Sequence, residues 1–265
     1  MKTSAAAFSL VELSIVLVIL GLLTGGILAG QAMIRASELR SVMTDANKYI
    51  SSAQAFRDRY GALPGDFRDG TKYWGRLNAN ADCVTNSGAA VNANTGVCDG
   101  DGDWKIRFAN SPGQSGEFAQ FWRELQQAGY IEGSFSGLSP SGTGGGSTSQ
   151  PGYNAPATRI ANGVWGVHYE GIYPGSAAWQ FTGDWGTLFN VGGWGLGSWG
   201  DANLFTPAEA YAIDKKMDDG APGTGRVIAS NIAVCANAAS ITDYNATYTV
   251  SNTSLACALY FIKAL

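Results

Sequence analysis

The sequence predicts an α+β protein: one long N-terminal helix carrying a globular head with antiparallel β-sheet and disulfide-closed loops. Three observations predict it. Residues 8–34 form an apolar run whose only charge is Glu12, and this run exceeds the roughly 20 apolar residues that span a bilayer as a helix. An amphipathic seam carries the same helix on to Tyr60. Past that point the chain turns rich in glycine and aromatic residues. The whole sequence holds 36 Gly, 8 Trp, 11 Tyr and 11 Phe with only 14% charged residues, a composition suited to strands and irregular loops.

The apolar half comes first. A secretory signal peptide is its plainer reading, with Lys2 as the positive end. Such a core is shorter, carries no acid, and has its small residues after it. Here Ala5, Ala6 and Ala7 precede the run, and Glu12 lies inside it. A carboxylate in hydrocarbon costs about 3 kcal/mol on insertion scales and normally has a partner. Gly21, Gly25, Gly26 and Gly30 loosen the helix, at about 1 kcal/mol each relative to Ala.

In the second half, Leu39, Val42, Ala46, Tyr49, Ala53, Phe56 and Tyr60 alternate at spacings of three and four, which is a heptad seam. Arg40, Asp45, Lys48, Arg57 and Asp58 lie off it. The seam is expected to pack on the protein's own head. A single helix over residues 8–60 would be about 80 Å long at 1.5 Å per residue. Pro64 ends it, since proline disfavours helix in the preceding residue and removes a donor.

Residues 61–265 are long enough for one domain or two closely joined lobes. The Gly/Ser-rich residues 133–163 are the best internal boundary. Residues 118–130 read as a short amphipathic helix ended by Gly129. A second helix has Thr206 as N-cap, Pro207 at its first position, Glu209 completing a capping box and Gly220 as its stop. Residues 226–230, 246–250 and 255–262 are β-rich.

Four cysteines form two local pairs, Cys83 with Cys98 and Cys235 with Cys257, and an even count in an exported head favours disulfides. Neighbours in sequence close the less costly loops, although the alternative pairings stay open at this level. Zinc has little support, because there is no C-x-x-C and His168 is the only histidine.

The most suggestive chemical motif runs from Cys98 to Trp104. Asp99, Asp101 and Asp103 alternate with glycine and could converge on calcium, which takes six to eight oxygens. It is not an EF-hand, since Trp104 stands where that loop needs Gly and its twelfth position holds no Glu, so further ligands such as Asp82 or Asn94 would be required. A solvated acidic turn is the competing reading. Asp214, Asp218 and Asp219 form a second acidic group at a helix C-terminus, where negative charge opposes the dipole. A partner is expected there: Lys215, Arg226 or a cation.

Trp165, Trp179, Trp185, Trp194 and Trp199 crowd one Gly-rich segment. They suit a β core better than a sugar-stacking surface. The net charge of −4 and the lack of a basic cluster speak against nucleic acid, whose affinity comes from phosphate contacts. The sequence contains no P-loop, H-E-x-x-H or G-x-S-x-G pattern, and a lone His168 gives no triad, so the reading is non-enzymatic.

The polar leader, the Ala7–Phe8 junction and the acid at the fifth residue counted from Phe8 together resemble the class III signal of type IV prepilins and pseudopilins. The resemblance covers about the first 30 residues. Ala7 stands where that family usually has Gly, and Ala29 where a helix-breaking Pro is common. It implies a leader of residues 1–7, a filament-core helix and a head over residues 61–265. It also implies that a prepilin peptidase cuts before Phe8 and methylates the new amine. Glu12 would pair with the Phe8 amine of a neighbouring subunit. The chain would pass once through the inner membrane, meet its assembly machinery and end in an extracellular filament of identical or related subunits. A C-terminal cysteine pair is similar to the pattern of many pilins, and several pseudopilins are similar in holding a structural calcium. The alternatives are a minor pilin or type II secretion pseudopilin, or a sugar-binding adhesin on a pilin stem.

Overall fold

The computed structural model describes residues 10–77, 96–109, 114–140, 146–176, 179–195 and 197–265. The fold is α+β, with a long apolar N-terminal helix and a small antiparallel sheet. Helix α1 spans Leu10–Tyr60, 51 residues. The chain divides into two compact units, Met1–Arg40 and Ser41–Leu265.

In the first unit the apolar side chains of α1 are exposed throughout, from Leu10 at 86% to Ile34 at 63%. It is long and apolar enough to cross a membrane. Its hydroxyls are satisfied within the helix: Ser14 Oγ donates to the Val11 carbonyl and Thr24 Oγ1 to that of Leu20, each at 2.8 Å. The next charges after Glu12 pair with each other, Arg35 with Glu38 at 3.1 Å.

In the second unit, α1 buries Val42, Ala46, Tyr49, Ala53 and Phe56, the seam read from the sequence, together with Ser52. Tyr49 meets Trp122 and Trp165 edge-on, with ring centroids at 5.0 and 5.4 Å. Phe56 joins Tyr60, Phe67 and Trp74 in an aromatic cluster. The helix stops at Tyr60, the end expected from the sequence, where Gly61 turns left-handed and donates its N–H to the Arg57 carbonyl; Pro64 follows a few residues on.

The sheet comprises β1 (Gly163–Tyr173), β2 (Gly183–Gly193), β3 (Val227–Ala229) and β4 (Leu259–Phe261), in the order β1-β2-β4-β3 with every pair antiparallel. Its largest part, the β1/β2 hairpin, lies in the tryptophan-rich segment. Of the β-rich stretches read from sequence, residues 246–250 form no strand and make only a bridge from Tyr248 to Ala236. Disulfide Cys235–Cys257 closes that loop, with Cα atoms 5.1 Å apart. Cys98 is also disulfide-bonded, and Cys83 lies outside the described residues.

Among the described residues three further helices belong to the head, besides a four-residue α5 (Ile232–Cys235): α2 (Gly70–Trp74), α3 (Glu117–Gln127) and α4 (Pro207–Met217). Helix α3 ends in a Schellman motif, Tyr130 N–H to Leu125 and Gly129 N–H to Gln126, as the position of Gly129 predicts. Helix α4 has the full capping box of Thr206 and Glu209. The Gly/Ser-rich residues 133–163 do not part the head. Ser136 N–H reaches the Tyr153 carbonyl, and Ser149 N–H that of Ser198.

Candidate functional site

The head's unusual chemistry is built around α3, where Glu117, Gln120, Arg123 and Glu124 are as buried as its apolar residues. They satisfy backbone groups of the irregular segments around them, groups that would otherwise be buried without partners. Gln120 Nε2 donates to the Gly137 carbonyl at 2.8 Å. Arg123 donates to the carbonyls of Gly96 and Phe135. Glu124 Oε2 accepts the Gly65 N–H at 2.6 Å, and Glu117 Oε2 accepts that of Arg107 at 2.9 Å.

Two loops meet this helix. The first follows α1 and presents Asp66, whose carboxylate accepts the N–H groups of Gly102 and Trp104. The second is the acidic turn itself. Close approach dictates glycine at two points: a Cβ on Gly65 would lie 2.2 Å from the Glu117 carbonyl oxygen, and one on Gly100 would lie 2.3 Å from Asp66 Cα. As a result Asp66, Asp101 and Glu117 each bring an oxygen within 4.8 Å of the others.

The three aspartates of the motif do not share one centre. Asp99 accepts from the N–H and hydroxyl of Thr71 at 2.7 and 2.8 Å, in the first turn of α2. Asp101 and Asp103 are both bound by the Arg107 guanidinium, and Lys105 lies 3.4 Å from Asp103. Left-handed Gly102 and Trp104 turn the backbone so that alternate side chains diverge. Only Asp101 joins the buried acids. Of the aspartates singled out by spacing, Asp101 is the one that lies in this group with Asp66 and Glu117, and Asp82 and Asn94 lie outside the described residues.

Burial dominates the electrostatics. It pushes the Asp66 carboxyl up to about 6 and Glu117 up to about 8, against the lowering effect of their backbone hydrogen bonds. Glu124, wholly buried, is raised well above the ordinary range, chiefly by burial. For Asp101 burial acts upward too, but the hydrogen bonds and charge of Arg107 prevail and hold it below its ordinary value. Near neutrality Glu117 therefore keeps its proton while Asp66 and Asp101 are ionised.

The second acidic group is satisfied from within. Buried Asp214 accepts from the Tyr248 hydroxyl at 2.8 Å and the Gly220 N–H at 3.1 Å, and burial raises its carboxyl to about 7. Asp218 accepts the backbone N–H groups of Arg226 and Val227, and Asp219 accepts the Ala221 N–H and the Thr224 hydroxyl. Arg226 contributes its backbone, and Lys215 Nζ points to the Tyr211 hydroxyl instead, 3.0 Å away.

Trp165 and Trp185 are core residues, while Trp179 and Trp194 are 48% and 39% exposed. Trp199 stacks on Phe108 and on buried His168 at 5.2 and 4.9 Å. Glu12 lies in the first turn of α1, and Ala7 and Phe8 are outside the described residues. Asp66, Glu117 and Glu124 escaped the sequence reading. The available signal was Glu117, Gln120 and Glu124 at i, i+3 and i+7, on one face of the helix.

No family model, curated protein or solved structure matches the chain.

Proposed function

We propose that the chain is a structural subunit of a type IV pilus-like filament, cleaved before Phe8 and assembled by packing its N-terminal helices. One observation carries the reading. Helix α1 is continuous, buries a seam in the head from Val42 to Phe56, and has every large apolar side chain from Leu10 to Ile34 exposed around a single acid, Glu12. A surface that apolar needs lipid or other copies of itself as cover. Before assembly the inner membrane covers it. In the filament, neighbouring helices do, and each Glu12 meets the Phe8 amine of another subunit. A minor pilin or a type II secretion pseudopilin would use the same device.

Within this reading the cage of Asp66, Asp101 and Glu117 takes one structural divalent cation, calcium in preference to magnesium. The three acids, two of them buried, supply three oxygens and tolerate the longer, less regular shell of calcium, with water completing it. A second reading, a sugar-binding adhesin on the same stem, is favoured by exposed Trp179 and Trp194, and a glycan array probed with the full chain tests it.

Mass spectrometry of the mature protein tests the main reading. An N-methylated Phe8 terminus is expected, and electron microscopy of surface filaments should find this chain in them. An intact Met1, or cleavage beyond the apolar run, refutes it.

A further inference from the structure

We propose that Asn245 is an acceptor for an N-linked glycan, transferred from a polyprenyl-diphosphate-linked oligosaccharide by a membrane oligosaccharyltransferase of the bacterial type. The inference rests on the exported-head reading above, since such transfer occurs on the outer side of the membrane. Residues Asp243-Tyr244-Asn245-Ala246-Thr247 contain the N-x-Thr acceptor pattern. They also carry an acid two residues before the asparagine, the addition that distinguishes acceptors of the bacterial enzyme class.

The structure supplies what a motif alone lacks. Asn245 and Thr247 are exposed while Ala246 and Tyr248 are buried, so the acceptor amide and the hydroxyl two residues on share the outer face of the loop. An enzyme must read those two groups from one side. The base of the loop is held without them. Ala239 N–H donates to Asp243 Oδ2 at 3.0 Å, Thr247 N–H to Asn237 Oδ1 at 2.7 Å, and the Tyr244 hydroxyl to the Thr182 carbonyl at 3.2 Å. Among the described residues no hydrogen bond engages the Asn245 side chain, so a glycan there displaces nothing from the core.

The chain contains its own comparison. Asn252-Thr253-Ser254 also fits N-x-Ser, but Val250 stands where the acid is required. Its amide is occupied as well: Nδ2 donates to the Val234 carbonyl at 3.3 Å and Oδ1 accepts the Ser254 N–H at 3.0 Å.

In the transfer, Asn245 Nδ2 forms a bond to the anomeric carbon of the first sugar. The bond from that carbon to the diphosphate oxygen breaks, polyprenyl diphosphate leaves with the electron pair, and the Nδ2 proton passes to a base of the enzyme. No oxidation change occurs.

The test incubates the native full chain, purified in detergent, with a purified bacterial oligosaccharyltransferase and its lipid-linked oligosaccharide, followed by peptide mass spectrometry. A synthetic peptide of residues 242–248 in the same reaction reports that the enzyme is competent. Glycan is expected on Asn245 and not on Asn252. Asn245→Gln and Thr247→Val should abolish it. Asp243→Asn keeps the acceptor for Ala239 N–H but removes the charge, and should lower occupancy by about tenfold or more, the scale of one charge-assisted hydrogen bond. An unmodified native chain beside a glycosylated peptide overturns the proposal, as does modification of Asn252 or indifference to Asp243→Asn. Because the reaction bypasses export, none of these outcomes bears on cleavage before Phe8, which is tested separately.

Discussion

Replacing Glu117 with Gln should invert the ranking of variant and parent between mildly acid and mildly alkaline pH. In the folded chain burial lets Asp66 and Glu117 keep their protons up to about pH 6 and about pH 8. In the unfolded chain such carboxyls release them near pH 4. Between those values the fold binds more protons than the unfolded state, so their contribution is fully present below about pH 4 and is lost as pH rises towards 8. At about 1.4 kcal/mol per pH unit, Glu117 alone removes on the order of 5 kcal/mol by pH 8. For a unit of this size that corresponds to roughly 10 to 20 °C in melting temperature.

The amide introduced by Glu117→Gln cannot ionise, so the variant escapes that loss. It has one acceptor oxygen for two backbone donors, the N–H groups of Arg107 and Asp101, and should therefore cost about 1–3 kcal/mol at pH 5. Thermal unfolding of the full chain in detergent, followed by tryptophan fluorescence from pH 5 to 8.5 with chelator present, reads both effects. Asp214 and Asp66 leave some slope in the variant. Calcium at about 100 times its Kd should restore about 2.7 kcal/mol to the parent at pH 8 and little at pH 5, where protons occupy the acids. Parallel pH profiles of parent and variant would refute the electrostatic argument. Parental melting that ignores calcium at pH 8 would remove the ion from the account.

Glu12→Leu should leave membrane insertion intact while filament yield falls, measured by sheared-filament recovery, because it removes a costly charge together with the proposed partner of the Phe8 amine. Phe56→Ala should cost about 3–5 kcal/mol in denaturant unfolding, since this wholly buried ring centres the cluster of Tyr60, Phe67 and Trp74. The double change Cys235→Ser with Cys257→Ser should cost about 3 kcal/mol in the same assay through the loop released, which has a sequence separation of 22.

What the sequence made legible is what local spacing determines. The seam from Val42 to Phe56, the capping box at Thr206 and Glu209, and the Gly129 stop all depend on neighbours within a few residues, and each has the expected form in the structure. The Cys235–Cys257 bridge followed from the lower cost of closing a short loop. Residues 246–250 misled because β-rich composition alone does not make a strand. Their loop is held by a disulfide and side-chain bonds such as Asn237 Oδ1 to Thr247 N–H, and only Tyr248 forms a bridge to another segment.

The acidic cage was beyond such reasoning for a different cause. Spacing of two in Asp99, Asp101 and Asp103 implies convergence only if the backbone is regular, and two left-handed residues, Gly102 and Trp104, divert it. The acids that do meet come from three segments, joined because Gly65 and Gly100 permit backbone contact that any Cβ would block. Helix α3 then accepts buried Glu117 and Glu124 because surrounding loops lack strand partners and must place their N–H groups somewhere. Satisfying those donors draws carboxyls into low dielectric, and it is that burial which makes the cage responsive to protons. The irregularity of the head and the chemistry of its candidate site are therefore consequences of one another.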